Sequence, residues 1–393
     1  MPKSSKYHLA KIKVVGVGGA GGNAVTRMFD ELPRSVDLVA INTDVQDLNF
    51  TKAKDKIHIG KNLTKGLGTG MNPDLGQQAA EENRAEIAEA IKGSDMVFIT
   101  AGLGGGTGTG ASPIIAEIAR ELGILTIAVV TKPFSFEGMQ RSRIAQEGLV
   151  KLRDRVDTLI AIPNDRIFSI INKDTSLLKA FEAIDEILKN AVAGITDLII
   201  SPGIVNVDFA DVKAVMQEGG SAIIGIGISS GPDRAANAAN QAINSPLLEI
   251  SIEGAKGVLF SVSGHRDLKM SEVNEVARLV SENVDQSAKI IFGAYTDRKL
   301  NKGQLKVTLI ATGFNGTFEY KNSVLSQNLF AQKAAILEGE SGKKKTEETY
   351  LGEPATQNLI FEENKKKEKT EKTEKKQSEE TWDIPTFLRK RKR

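Results

Sequence analysis

The chain has 393 residues, enough for about two domains that each bury a core. Its 52 Lys+Arg against 50 Asp+Glu leave +2, not the basic excess of a duplex-binding protein, although Arg389, Lys390, Arg391, Lys392 and Arg393 form a basic tip. Zero cysteines exclude disulfides and thiolate chemistry, and the three histidines (His8, His58, His265), none spaced i, i+4, argue against a histidine metal site or a Ser-His-Asp triad.

Residues 1–13 carry no apolar signal core, and no run approaches the roughly 18 apolar residues of a membrane span, so a cytoplasmic protein is expected. From residue 12 onward, β-branched runs at 12–15, 38–41, 96–100, 125–130 and 159–162 alternate with amphipathic stretches. That alternation predicts a parallel sheet with helices on both faces. Leu177, Leu178, Phe181, Ile184, Ile187, Leu188, Val192, Ile195, Leu198 and Ile199 are spaced three and four apart, which predicts one long, largely buried helix ending at Ser201-Pro202-Gly203. Strand candidates at 222–228, 258–262, 290–295 and 305–312, interspersed with helices near 234–243 and 271–284, predict a second α/β domain. Periodicity weakens after residue 321, and 338–380 is dominated by Lys, Glu, Thr, Gln and Ser, a composition expected to stay disordered. Trp382, Ile384, Pro385, Phe387 and Leu388 then restore apolar character, as a docking peptide on a tether would.

The 37 glycines exceed the usual share of about 7%, and two clusters hold many of them. The first, Gly16-Val17-Gly18-Gly19-Ala20-Gly21-Gly22-Asn23, follows a predicted strand and opens a helix, where backbone N–H groups can hold a phosphate. It contains a G-x-G-x-x-G pattern with Asp44 beyond the next strand, so a dinucleotide-dependent Rossmann oxidoreductase is a serious reading. The second, residues 102–110, also leaves a strand and enters a helix expected over 111–122. Two phosphate cradles suit one nucleotide, with the Thr107 and Thr109 hydroxyls as added donors; the plainer alternative is a flexible surface turn. A Walker-type phosphate loop is absent. Asn206-Val207-Asp208-Phe209-Ala210-Asp211 forms a third constellation, in which Asp208 could simply cap a helix and Asp211 sit in its first turn.

Residues 104–110, GGGTGTG, are the signature of the tubulin and FtsZ GTPase superfamily, and the surrounding sequence resembles the bacterial FtsZ branch over about residues 11–315 and at the tail tip. The resemblance implies a flexible start (1–10), a Rossmann-like parallel-sheet GTPase domain (11–175), a central helix (176–202), a C-terminal α/β activation domain (203–320), a disordered charged linker (321–380) and a partner-binding peptide (381–393). Carried over residue by residue, it gives phosphate contacts to Gly19, Ala20, Gly21, Gly22, Gly106, Thr107 and Gly108, and further nucleotide contacts to Asn42 and Gly70. Glu137 and Arg141 would lie near ribose and phosphates, Asn23, Asn164 and Asp185 would address guanine, and Phe181 would stack on it. The residues alone leave a core position for Phe181 and a solvated helix face for Asp185 open.

GTP is the implied cofactor, with Mg2+ and a monovalent cation beside it, and no metal site built from protein side chains. In the resembling family the NVDFAD loop enters the neighbouring subunit's site, so that Asn206, Asp208 and Asp211 would complete catalysis only on polymerisation. The implied function is a head-to-tail homopolymer in the division ring at mid-cell. Asp383, Ile384, Pro385, Phe387, Leu388 and Arg389 would bind membrane-tethering adaptors, with no nucleic acid partner and no membrane span. The chain departs from the pattern at Met139 and Gln140, where many relatives have two basic residues, and at Met71, where a small residue is common. An oxidoreductase and a non-hydrolysing scaffold of the same family are the alternatives.

Overall fold

The β-branched runs of the first half pair edge to edge in one direction. A computed structural model of the chain describes residues 10–314, except 173, 202, 247, 249, 250 and 298. It begins with β1 (Ile12–Val17), α1 (Gly18–Met28), β2 (Val36–Asn42), α2 (Val45–Phe50) and β3 (Asp55–His58). There follow α3 (Lys61–Thr64), α4 (Pro73–Glu82), α5 (Arg84–Ile91), β4 (Met96–Gly102), α6 (Thr107–Glu121), β5 (Leu125–Lys132), α7 (Met139–Arg153) and β6 (Thr158–Pro163). These six strands lie in the order β3-β2-β1-β4-β5-β6, all parallel. The chain builds outward one way from β1 and then crosses to β4 and builds the other way. The direction reverses between β1 and β4, which are hydrogen-bonded neighbours with Gly16 opposite Thr100 and Val17 opposite Ala101. Two loops leaving the carboxyl ends of such neighbours diverge and open a crevice. Both glycine clusters leave from this point.

The second half contributes α8 (Leu177–Ile200), β7 (Gly203–Val205), α9 (Phe209–Met216), β8 (Gly220–Ser230), α10 (Arg234–Ile243), β9 (Gly257–Gly264), α11 (Met270–Glu282), β10 (Lys289–Thr296) and β11 (Gln304–Thr312). Strand β11 is antiparallel to both β8 and β9, β10 runs parallel to β9, and β7 closes the edge antiparallel to β10. The two α/β regions share more than the sequence suggests. Strand β6 pairs with β8 at three positions, Thr158 with Gly220 through Ile160 with Ala222, so the eleven strands among the described residues form one hydrogen-bonded series.

Helix α8 lies across that series. Its Ile184, Leu188, Val192, Ile195 and Leu198 pack in one cluster with Phe98 and Ile127 of the first strands and Leu259 and Ile310 of the second. Burying so continuous a stripe is the main source of its stability, since a helix draws most from packing of one face. Ser176 starts it by accepting from the Lys179 N–H. Its first turn is not buried, contrary to the periodicity: Leu177 and Leu178 are 60% and 69% exposed. A separate cluster joins alanines of α10 (Ala235, Ala238, Ala239, Ala242) to Val258, Phe260 and Val307 of the second strands.

One boundary needs correction and two short strands are added. Helix α6 starts at Thr107, so the second glycine cluster is half helix rather than all loop. Its glycines serve packing: a Cβ on Gly110 would overlap the Pro73 carbonyl oxygen at the start of α4. Strands β3 and β7 went unread because four and three residues are too short for a period-2 signal. Residues 1–9, the expected linker at 321–380 and the terminal peptide at 381–393 lie outside the described residues. No helix among the described residues is long and apolar enough to cross a membrane.

Candidate functional site

At the β1/β4 reversal lies a cavity of about 500 Å³. Helices α1 and α6 both start at its wall, and neither has a side-chain cap or an acidic residue in its first turn. The first N–H groups of a helix have no intrahelical acceptor and carry the positive end of its dipole. Two uncapped starts converging on one cavity make an anion site, and this feature rests on the fold and not on any single side chain.

The glycines divide into two kinds. Gly19, Ala20, Gly106, Thr107 and Gly108 line the cavity, and a Cβ on Gly105 would meet no protein atom within 4 Å. Gly21 and Gly22 are buried and do not line it. A Cβ on Gly21 would overlap the Thr100 carbonyl oxygen, and one on Gly22 would lie 2.8 Å from Thr51 Oγ1, so these two let α1 pack close to β4 and α2. Thr109 does not line the cavity either. Two residues along a helix turn by about 200°, and its hydroxyl accepts from the Gly104 N–H at 2.9 Å instead of facing the cavity.

The next loop contributes Thr69, Gly70 and Met71 to the lining, with φ of +57° at Gly70 and +63° at Met71, a left-handed conformation unusual for a methionine. Asn42 does not reach the cavity. Its amide donates to Asp47 Oδ2 at 2.8 Å and its oxygen accepts from the Thr43 N–H at 2.9 Å, so it braces the loop. Asp44 caps α2 by accepting from the Gln46 and Asp47 N–H groups, so the acid that a dinucleotide reading assigns to a ribose is already engaged.

At the far end of the cavity, Glu137 and Arg141 pair at 2.6 Å, and Glu137 is fixed by accepting from the Phe134 N–H at 2.9 Å. Asp165 holds this turn by accepting from the Ser135 N–H at 3.0 Å and from its hydroxyl. Asn164 beside it is buried, and its Oδ1 has no hydrogen-bond partner. A buried acceptor without a partner costs about 1–3 kcal/mol, a cost that a donor on a ligand would offset.

Phe181 is 41% exposed with its plane at 86° to Phe134, 5.5 Å away between ring centroids, so it is a cavity wall and not a core residue. Asp185, one turn on, also lines the cavity, and its side chain is only 15% exposed, which rules out the solvated-face reading. Its Oδ2 accepts from Arg27 Nε at 2.8 Å, yet burial outweighs that cation and raises its pKa above the ordinary carboxylate value. Asn23, one turn before Arg27 on α1, is exposed and outside the lining.

Asn206, Asp208 and Asp211 are exposed and do not line the cavity. Asn206 accepts from the Gly203 N–H at 2.7 Å, Asp208 occupies the cap position of α9 without a side-chain cap bond, and Asp211 sits in its first turn. They follow the C-terminal end of α8, whereas Phe181 and Asp185 are near its start. The 24 residues of that helix span about 36 Å at 1.5 Å per residue. Thr43, Thr69 and Arg27 were not singled out from the sequence, although Thr43 lies in the AINTD run at 40–44 and Thr69 in the GLGTG run at 66–70.

Comparison with known proteins agrees with this geometry. Residues 11–172 match the Tubulin/FtsZ family GTPase domain and residues 220–315 the FtsZ family C-terminal domain. An empty FtsZ dimer from M. jannaschii is 52% identical, with a TM-score of 0.75, over 77% of this chain and 88% of its own. A point mutant of FtsZ from the same organism is 51% identical, with a TM-score of 0.75, over 78% and 91%. The GTPγS-bound CetZ2 protofilament of Haloferax volcanii, 22% identical over 84% of this chain and 100% of its own at a TM-score of 0.66, shares the fold. Both family domains occur in order and flank α8, and half the residues are identical across most of a solved FtsZ, so this chain belongs to the FtsZ family of tubulin-like GTPases.

Proposed function

We propose that the chain binds GTP in the β1/β4 cavity and hydrolyses it only when a second copy, stacked head to tail, brings residues 206–211 to that cavity. The observation that carries this reading is separation: the candidate acids are exposed and follow the C-terminal end of α8, which lies about 18 to 28 Å along the helix from the cavity-lining Leu188 and Phe181 at 1.5 Å per residue. The dimer and protofilament named for the relatives are consistent with stacking.

In this reading the N–H groups around Gly19, Ala20 and residues 105–108 hold the phosphates. Asn164 and Asp185 address guanine, whose adjacent N1–H and N2–H suit a carboxylate in a bidentate pair that adenine cannot supply. Phe181 stacks on the base, and Glu137 with Arg141 borders the ribose. Asp208 and Asp211 of the neighbour orient the attacking water or bind the cation, and phosphoryl transfer needs little beyond such positioning and charge neutralisation. Among the described residues no three His, Cys, Asp or Glu side chains group into a metal cage, so Mg2+ would be held largely through phosphates and water, and it would neutralise phosphate charge there. A monovalent cation and the division of the chain at 175/176, 202/203 and 320/321 belong to the same proposal.

The polymer would form the division ring at mid-cell in the cytoplasm, tethered through the peptide from Asp383 to Arg389. The test is the GTPase rate per molecule against protein concentration. A steep rise supports the shared site, and a rate independent of dilution refutes it.

A further inference from the structure

Thr43, just after β2, meets Thr69 and the first residue of α6, Thr107, behind the wall of the cavity that Thr69 and Thr107 line. Thr43 Oγ1 lies 2.8 Å and Thr69 Oγ1 3.2 Å from Thr107 Oγ1, and all three side chains are buried. Distances do not give the donors, but the count of protons and acceptors does. Each hydroxyl has one proton to donate and two lone pairs to accept with. Among the described residues, Thr107 Oγ1 is the single hydrogen-bond partner of the Thr43 and Thr69 hydroxyls. If Thr107 donated to Thr43, which does not line the cavity, the Thr43 proton would be left buried without an acceptor, and if it donated to Thr69, the Thr69 proton would have none within the protein, in either case at the cost of an unmade hydrogen bond. The arrangement that leaves neither neighbour unsatisfied has both donating to Thr107. Its two lone pairs are then filled, and its own proton has no acceptor in the protein. Of the three, Thr107 is also the first residue of α6, where the uncapped helix start faces the cavity.

The geometry points to Thr43 and Thr69 as positioning residues that lock the Thr107 hydroxyl as an obligate donor, aimed at a phosphate oxygen of the bound nucleotide. This rests on the nucleotide reading above and adds to it. A free threonine hydroxyl rotates and can donate or accept. A hydroxyl that already accepts twice can only donate, which favours an anionic oxygen over any donor group. The contribution follows the phosphate and is independent of the base.

The experiment measures equilibrium binding of GTP, GDP and guanosine to the full chain and to Thr69→Ala, Thr69→Ser, Thr107→Val and the Thr69→Ala/Thr107→Val double variant, each checked for folding by circular dichroism. Thr69→Ala should weaken GTP and GDP by about three- to tenfold and leave guanosine unchanged. Thr69→Ser should restore the loss, and Thr69→Ala should cost nothing further once Thr107 is valine, since the two then act through one proton. Unaltered GTP affinity in Thr69→Ala, an equal loss for guanosine, failure of serine to rescue, or full additivity in the double variant would each overturn the assignment. Absence of GTP binding by the unsubstituted chain would overturn the nucleotide reading itself, and this inference with it.

Discussion

At the start of α8 the molecule presents two uncapped helix ends, a buried Asn164 oxygen without a partner and a half-exposed phenylalanine; past its other end it presents two exposed carboxylates. The first region is concave, braced and short of ligands for its donors and acceptor. In the second, Asp208 at the cap of α9 and Asp211 in its first turn are exposed, and Asp208 makes no cap bond. In the proposed division of labour, α8, about 36 Å long, runs from the cavity near its start to the acids beyond its end. In the proposed filament, each helix would present its acids to the next copy.

The largest effect that could break this contrast is on hydrolysis. Asp211→Ala should cut the GTPase rate by roughly a hundredfold or more while GTP affinity stays unchanged, because only the distant region is altered. Mixing that variant with a chain carrying Asp185→Asn should recover activity, since one kind of interface then joins an intact cavity to an intact loop. No recovery on mixing, with both variants folded, would mean the acids act within their own chain.

Next comes base recognition. Asp185→Asn should weaken GTP by about tenfold or more through loss of a charge-assisted pair worth about 1.5–3 kcal/mol, with competition by ATP and xanthosine triphosphate reporting the change in preference. Burial raises the Asp185 pKa, so the carboxylate needed for guanine is lost as pH falls through a value above the ordinary range. Guanosine affinity should therefore fall on acidification at a higher pH than an unperturbed aspartate would dictate, and the asparagine variant should lose that dependence.

Smaller effects separate the two uses of glycine within the cavity region. Gly21→Ala forces a Cβ onto the Thr100 carbonyl and should cost about 1–3 kcal/mol of stability, read as a lowered Tm. Gly105→Ala meets nothing within 4 Å, so it should leave Tm unchanged and weaken GTP. The smallest expected effect is at Met71, where relief of the left-handed φ of +63° should let Met71→Gly gain up to about 1 kcal/mol in denaturant unfolding. A loss instead would mean that contacts of the Met71 side chain outweigh its backbone strain.

Much was legible in the chain before folding. The alternation of β-branched runs with amphipathic stretches predicted the six parallel strands except β3, and the apolar stripe from Ile184 to Leu198 predicted α8, because burial on a face repeats with the period of the element that carries it. The two glycine clusters located the cavity, since each sits where a strand hands over to a helix. What each glycine does was not legible: Gly19 and Gly21 look alike in sequence, and only the approach of the Thr100 carbonyl makes one a wall and the other a packing joint. The same holds for Asn42 and Asp44, spent on bracing a loop and capping α2, and for Thr109, turned away by helix geometry. The pairing of β6 with β8, the Arg27–Asp185 contact and the meeting of Thr43, Thr69 and Thr107 join residues between 38 and 158 positions apart. Local pattern records which face of an element is buried, but partners that distant are chosen only when the sheet order and the crossing of α8 bring their elements together, so tertiary structure alone decided them.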